Sequence, residues 1–215
     1  PAAGGDAGRG YVVFGRTGSS AIDLAAITNG IGGFVISGRF ANDLSGYSVA
    51  GAGDINGDGL ADLIVGAPLG GGVEGSHPGC GYVVFGKTSG SAVDLYAVGI
   101  GNGGLAIFGL AWSSYDLAGA SVAGAGDFNG DGLADLVVGV PLSNPTAGPN
   151  AGRTYVVFGS ASGGYVFLSD VGPGSGGFVI NGQYEDEASG SSVASVGDIN
   201  GDGLSDVIIG ASDSD

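Results

Sequence analysis

Short apolar runs separated by small and polar residues set the rhythm of this chain. The first four are "GYVVFG" at 10–15, "GFVISG" at 33–38, "YSVAGAGD" at 47–54 and "ADLIVGAP" at 61–68. Each is rich in β-branched or aromatic residues and fenced by glycine, asparagine or aspartate, as short strands between tight turns are. No stretch sustains an apolar period of 3.6 residues, so helices are expected to be almost absent.

The runs recur at a fixed interval. "YVVFG" begins at Tyr11, Tyr82 and Tyr155, spacings of 71 and 73 residues. "DINGDGLAD" at 54–62 returns as "DFNGDGLAD" at 127–135 and "DINGDGLSD" at 198–206. The spacing from Asp to the following tyrosine is 28 both times, so the only length change is a two-residue insertion near "LAWSSYD" in the second repeat. Constant spacing makes each unit one structural module. The chain therefore divides into repeats at about 1–67, 68–140 and 141–215 of a single region. Four short antiparallel strands per module predict an all-β fold, a β-propeller with about three blade equivalents.

Two further signatures carry a family resemblance. "FG" stands at Phe14-Gly15, Phe85-Gly86 and Phe158-Gly159; "GAP" stands at Gly66-Ala67-Pro68, weakens to Gly139-Val140-Pro141 and becomes Gly210-Ala211-Ser212. The chain resembles the FG-GAP repeats of the integrin α-subunit propeller and of many secreted bacterial proteins. The resemblance covers essentially the whole chain. It implies a calcium-bearing propeller and an extracellular or cell-surface setting, without implying integrin-type ligand binding.

The aspartate-rich loops suit a hard cation. Calcium takes six to eight oxygen ligands, and alternate side chains of a tight loop can converge on it where glycine lets the backbone curl. In the first loop Asp54, Asn56 and Asp58 offer side-chain oxygens, Leu60 a carbonyl, and Asp62 closes the shell. The equivalents are Asp127, Asn129, Asp131, Leu133 and Asp135, then Asp198, Asn200, Asp202, Leu204 and Asp206. The family motif matches at each of these positions, giving three expected calcium sites. An EF-hand is excluded, because the position of its bidentate Glu holds Val65, Val138 and Ile209. The bland alternative is a metal-free hairpin turn. Magnesium fits less well, since it keeps several waters in a rigid octahedron.

Charge sharpens the reading. Against 21 acidic residues stand only five basic ones, for a net of −16; three divalent ions would bring it to −10. There is no basic footprint for nucleic acid or for an anionic membrane surface. Fifty glycines would suggest disorder or a fibre, but 43% hydrophobic content and the lack of a Gly-X-Y period argue against both. No apolar stretch approaches the length of a membrane span, so membrane insertion is not expected. The chain opens on Pro1 rather than Met, and it reads as processed or cut from a longer polypeptide.

Other patterns carry less. "GYVVFGKT" at 81–88 matches a phosphate-binding loop literally, but its variable positions form an apolar strand and no helix follows. "GIGNGG" at 99–104 and "GPGSGG" at 172–177 match a dinucleotide fingerprint only by spacing. His77 is the sole histidine and is expected on a solvated loop near Glu74 and Cys80, a lone cysteine beside a strand. Asp43, Asp116 and Glu187 sit at equivalent positions and read as turn and inter-blade contacts; no catalytic set is found. Trp112 falls in the insertion, a weak hint of a binding surface.

The expected function is a calcium-stabilised extracellular module for binding, adhesion or assembly, and not an enzyme. The alternative is a lectin or an accessory propeller domain of a secreted enzyme. In the resembled family a blade starts at the strand before the aspartate loop. By that division two whole blades lie at about 47–109 and 120–182, flanked by half blades at 10–38 and 191–211. Pairing both halves within one chain would close only three blades, fewer than the four to eight of known propellers. Completion is therefore expected from another copy or from further repeats of a longer chain.

Overall fold

The computed structural model describes residues 5–71, 77–110, 115–172 and 174–214. Its strands are β1 (Arg9–Val13), β2 (Gly33–Ser37), β3 (Ser48–Gly53), β4 (Asp62–Ala67), β5 (Cys80–Val84), β6 (Val93–Asp94) and β7 (Gly104–Phe108). They continue as β8 (Ser121–Gly126), β9 (Asp135–Val140), β10 (Arg153–Val157), β11 (Gly164–Phe167), β12 (Gly177–Asn181), β13 (Ser189–Gly197) and β14 (Asp206–Ala211). Two one-turn helices, α1 (Leu24–Thr28) and α2 (Leu95–Val98), and a 3-10 turn at Leu168–Asp170 complete it. Asp23 and Asp94 cap these helices by accepting from Ala25 N and Tyr96 N, both at 2.9 Å. The fold is all-β, built of propeller blades.

One whole blade runs β3-β4-β5-β7 and the next β8-β9-β10-β12, each strand antiparallel to its neighbour. An N-terminal half blade holds β1 and β2, and a C-terminal one holds β13 and β14. Two short strands depart from the purely antiparallel expectation. β6 runs parallel to β2, and β11 runs parallel to β7, so each leaves its own blade to extend the outer edge of the preceding one. The FG pairs also lie just outside the strands, because β1 ends at Val13, β5 at Val84 and β10 at Val157.

Alternation along each strand feeds two different cores. Ile64, Val83 and Ile107 point to one side and pack with Val122, Leu136, Val138 and Tyr155 of the second whole blade. Val65, Tyr82, Val84 and Ala106 point to the other side and pack with Phe34 and Ile36 of the N-terminal half blade. Successive strand residues face opposite sides of a sheet, so a blade with a neighbour on each side is apolar on both. The runs read as continuous rather than alternating for that reason.

Adjacent blades approach backbone to backbone. A Cβ added at Gly66 would stand 2.1 Å from Gly119 O, and one at Gly139 would stand 2.1 Å from Gly190 O. Only glycine admits so close a contact. Ser48 and Ser121 then bridge the same junctions, their hydroxyls donating to Gly119 O at 2.8 Å and Gly190 O at 2.7 Å. The glycine of the GAP signature is thus a blade-to-blade spacer.

Candidate metal centres

Each aspartate loop connects the first two strands of a blade, β3 to β4, β8 to β9 and β13 to β14. Positive φ at Gly57 (76°) and Gly59 (87°) lets the first loop curl around its leading carboxylate. Asp54 Oδ1 accepts from Gly57 N (2.8 Å) and Asp58 N (3.1 Å), and its Oδ2 accepts from Gly59 N (2.8 Å). Asn56 Oδ1 accepts from Asp58 N at 2.9 Å, while its amide donates to Asp58 Oδ2 at 3.0 Å. Asp58 Oδ1 in turn accepts from Leu60 N at 2.9 Å.

The other two loops repeat this pattern. Asp127 accepts from Gly130, Asp131 and Gly132, and Asp198 from Gly201, Asp202 and Gly203. Asn129 and Asn200 reach Asp131 and Asp202 at 2.8 and 3.0 Å. Backbone amides from Gly203, Gly201 and Asp202 hold the exposed Asp198 carboxyl below its ordinary value.

The closing aspartate of each loop is placed differently. Asp62 is buried; Oδ2 accepts from Ile55 N at 2.9 Å and Oδ1 from Gly86 N at 2.7 Å. Asp135 is equally buried and accepts from Phe128 N and Asn129 N through Oδ2 and from Gly159 N through Oδ1, at 2.8, 3.2 and 2.8 Å. Gly86 and Gly159 are the glycines of the FG pairs, so FG ties the third strand of a blade to its aspartate loop. The sequence reading missed that partnership, although the constant 24-residue interval from Asp to Gly marked it. In the third loop Asp206 accepts from Ile199 N at 2.8 Å, and among the described residues no FG glycine reaches it.

Neighbouring loops are joined as well. Ala134 N donates to Asp54 O at 3.0 Å and Ser205 N to Asp127 O at 3.3 Å, so the three loops stand side by side along one end of the blades. Among the described residues no three Asp, Glu, His or Cys side chains meet in one cluster. The loop oxygens instead face their own amides. The donor set nevertheless suits a hard divalent ion: carboxylates, an amide oxygen and a carbonyl on one short loop. Burial raises the carboxyl of Asp62 above its usual range, and the like charges of Asp58 and Asp54 raise it further. A cation in the loop would relieve that repulsion.

The remaining sequence candidates fall into structural places. The variable residues of "GYVVFGKT" are the interior of β5, and Lys87 lies over the Phe34 ring at 4.2 Å. His77 is half-buried rather than solvated: Nδ1 lies 3.0 Å from Leu69 O and its ring meets Tyr115 edge-on at 4.8 Å. Tyr115 and the turn after β4 close over it, a contact invisible in the local sequence. Cys80 opens β5 fully buried, 3.3 Å from the Tyr82 hydroxyl, and burial pushes its thiol up to about 12. Asp43, Asp116 and Glu187 are buried in turns, with Asp43 accepting from Phe40 N and Glu187 from Gln183 N. Trp112 and Glu74 lie outside the described residues.

Comparison with known proteins meets this geometry at the blade starts. Residues 45–95, 118–157 and 189–215 match the sequence profile of the FG-GAP repeat. Integrin alpha-PS2 of Drosophila melanogaster is 34% identical over 136 residues, 60% of this chain and 9% of its own length. Integrin alpha-E of Mus musculus is 36% identical over 136 residues, 63% of this chain and 11% of its own. Integrin alpha-7 of Homo sapiens is 32% identical over 130 residues, 60% of this chain and 9% of its own. The chain spans about a tenth of the length of these curated relatives.

Proposed function

The chain belongs to the FG-GAP repeat family, and from that premise we propose that it is a calcium-stabilised propeller module for binding, adhesion or assembly outside the cell. The observation that carries the proposal is the row of three equivalent oxygen-rich loops, each in a blade of the family's pattern. Asp54, Asn56, Asp58, the Leu60 carbonyl and Asp62 would hold the first ion, and their equivalents the other two. The ion supplies a positive centre that offsets the loop's carboxylates and ties the first strand of a blade to the second.

The module acts by presenting surface rather than by catalysis. The similarity to integrin alpha chains supports a protein partner and an extracellular or cell-surface location. Among the described residues no helix is long and apolar enough to cross a membrane. Completion of the ring by a second copy or by further repeats is part of this reading.

Calorimetric titration with calcium tests it. Three sites are expected, and at about 100-fold saturation each adds about 2.7 kcal/mol of stability. An unchanged thermal midpoint after chelation, with no heat of binding, would reject the calcium role. Calcium-dependent capture on a glycan array, in place of protein binding, would replace the reading with a lectin.

A further inference from the structure

Equivalent positions differ sharply in exposure between whole and half blades. Ile64 is 0% exposed and Val137 0%, while Ile208 in β14 is 57% exposed. Val122 is 7% exposed and its counterpart Val49 is 61%. Leu95 and Leu168 are 0% and 1% exposed, but Leu24 is 46%. The exposed members sit at two ends of the molecule, and each end displays what the other lacks.

At the N-terminal end, β1 pairs only with β2 among the described residues. Beside its open edge lies a groove of about 500 Å³, lined by Tyr11, Val12, Ile36, Val49, Leu63 and Val65. In the whole blades that place is filled by the inner hairpin, β3-β4 or β8-β9. At the C-terminal end, β13-β14 is such a hairpin, and β14 has no outer neighbour. The outer strand β12 also keeps a free edge, whereas β2 and β7 carry β6 and β11.

We propose that the N-terminal half blade of one copy docks on the C-terminal half blade of a second copy, forming a closed six-bladed ring with two-fold symmetry. The inference rests on the propeller part of the proposed function. The whole blades dictate the register. β4 pairs with β5 as Leu63–Val84, Ile64–Val83, Val65–Tyr82, Gly66–Gly81 and Ala67–Cys80, and β9 with β10 in the same way. Transferred to the open edges, Val207 meets Val13, Ile208 meets Val12, Ile209 meets Tyr11, Gly210 meets Gly10 and Ala211 meets Arg9. Ile208 then enters the groove.

Three further seams fall into place under the same operation. Gly15 is the FG glycine equivalent to Gly86 and Gly159, and its amide reaches the Asp206 carboxylate, supplying the bond that the third loop lacks. Gly210 comes to face Gly46 as Gly66 faces Gly119. Ile22-Asp23, equivalent to Val93-Asp94 of β6, pairs in parallel with Ile180-Asn181 of β12, as Val93 and Asp94 pair with Ile36 and Ser37. A second copy satisfies all four at once because its C-terminal end presents the inner hairpin and the outer strand in the required order. Six blades also fall within the known propeller range, and a two-fold closes the assembly without leaving an edge.

Light scattering of the 215-residue chain in calcium should give twice the 20.5 kDa of one chain. A monomer at tens of micromolar, or an open series of higher oligomers, overturns the proposal. Ile208→Lys places a charge in the groove and should weaken the dimer at least about tenfold. Because Ile208 is exposed in the single chain, the variant should keep its circular dichroism. Val12→Cys with Ile208→Cys should cross-link the two copies on oxidation, and Val12→Cys with Val207→Cys should not. Equal cross-linking of both pairs overturns the register. Calcium titration of the Ile208→Lys monomer separates the two readings. A monomeric wild type that takes up calcium sinks the pairing alone, and a dimer that takes up none sinks the calcium role alone.

Discussion

Tyr82 and Tyr11 hold the same place in successive repeats, yet Tyr82 is 0% exposed and Tyr11 is 37% exposed. The strands around them are nearly identical in sequence, "GYVVFG" in each case. What differs is the neighbourhood: β5 has β4 on one edge, β7 on the other and a blade against each face, while β1 has β2 alone on its edges. A blade of this family is not a self-contained unit. Its strands are apolar on both sides and become a core only when blades stand on both sides.

The largest test of that contrast is a matched truncation. Ile64→Ala should cost about 2–5 kcal/mol, the usual range for a fully buried aliphatic side chain. Ile208→Ala, at dilutions where the chain is a monomer, should cost well under about 1 kcal/mol, as exposed positions do. Urea denaturation of both variants checks this; equal losses would mean that the C-terminal half blade is already covered.

A smaller effect comes from the blade junction. Gly66→Ala drives a methyl onto Gly119 O and should cost about 3 kcal/mol, the upper part of the overpacking range. Gly210→Ala meets only the movable Ser192 hydroxyl at 2.3 Å and should be nearly neutral in the monomer. Thermal midpoints of the pair decide it, and a costly Gly210→Ala at high concentration would report a neighbouring blade.

Next in size is the closing carboxylate. Asp62→Asn puts an amide NH₂ against one of two backbone donors, Ile55 N and Gly86 N, and should cost about 1–3 kcal/mol. Asp206→Asn confronts only Ile199 N and can turn its carbonyl oxygen to it, so its cost should be smaller. Both are to be measured in chelator, so that calcium does not enter the comparison.

The last prediction moves no stability at all. Cys80 should resist alkylation at pH 8, because burial raises its thiol to about 12 and closes access. A cysteine placed at the equivalent exposed position, Arg9→Cys, should label readily in the monomer. Mass spectrometry distinguishes them, and fast labelling of Cys80 would show that the whole blade opens.

Strands, repeats and blade boundaries were legible because they depend on local pattern. β-branched runs between glycines make short strands, and a fixed period makes equal modules. The residues of the aspartate loops were legible for the same reason, since each loop curls on amides no more than five residues away. Other features depend on residues distant in the chain. The amides of Gly86 and Gly159, the half-buried setting of His77 and the parallel strands β6 and β11 all arise where separate segments meet. Two residues such as Val93-Asp94 hold no strand signal of their own; they become a strand because β2 offers an edge.

By itself the sequence determined the all-β repeat, its strand order and the three oxygen-rich loops, since period and turn chemistry act over a few residues. Tertiary structure decided which apolar residues are core and which are open surface. Identical runs are buried or bare according to whether another blade lies against them, and that depends on packing across the molecule rather than on any local pattern.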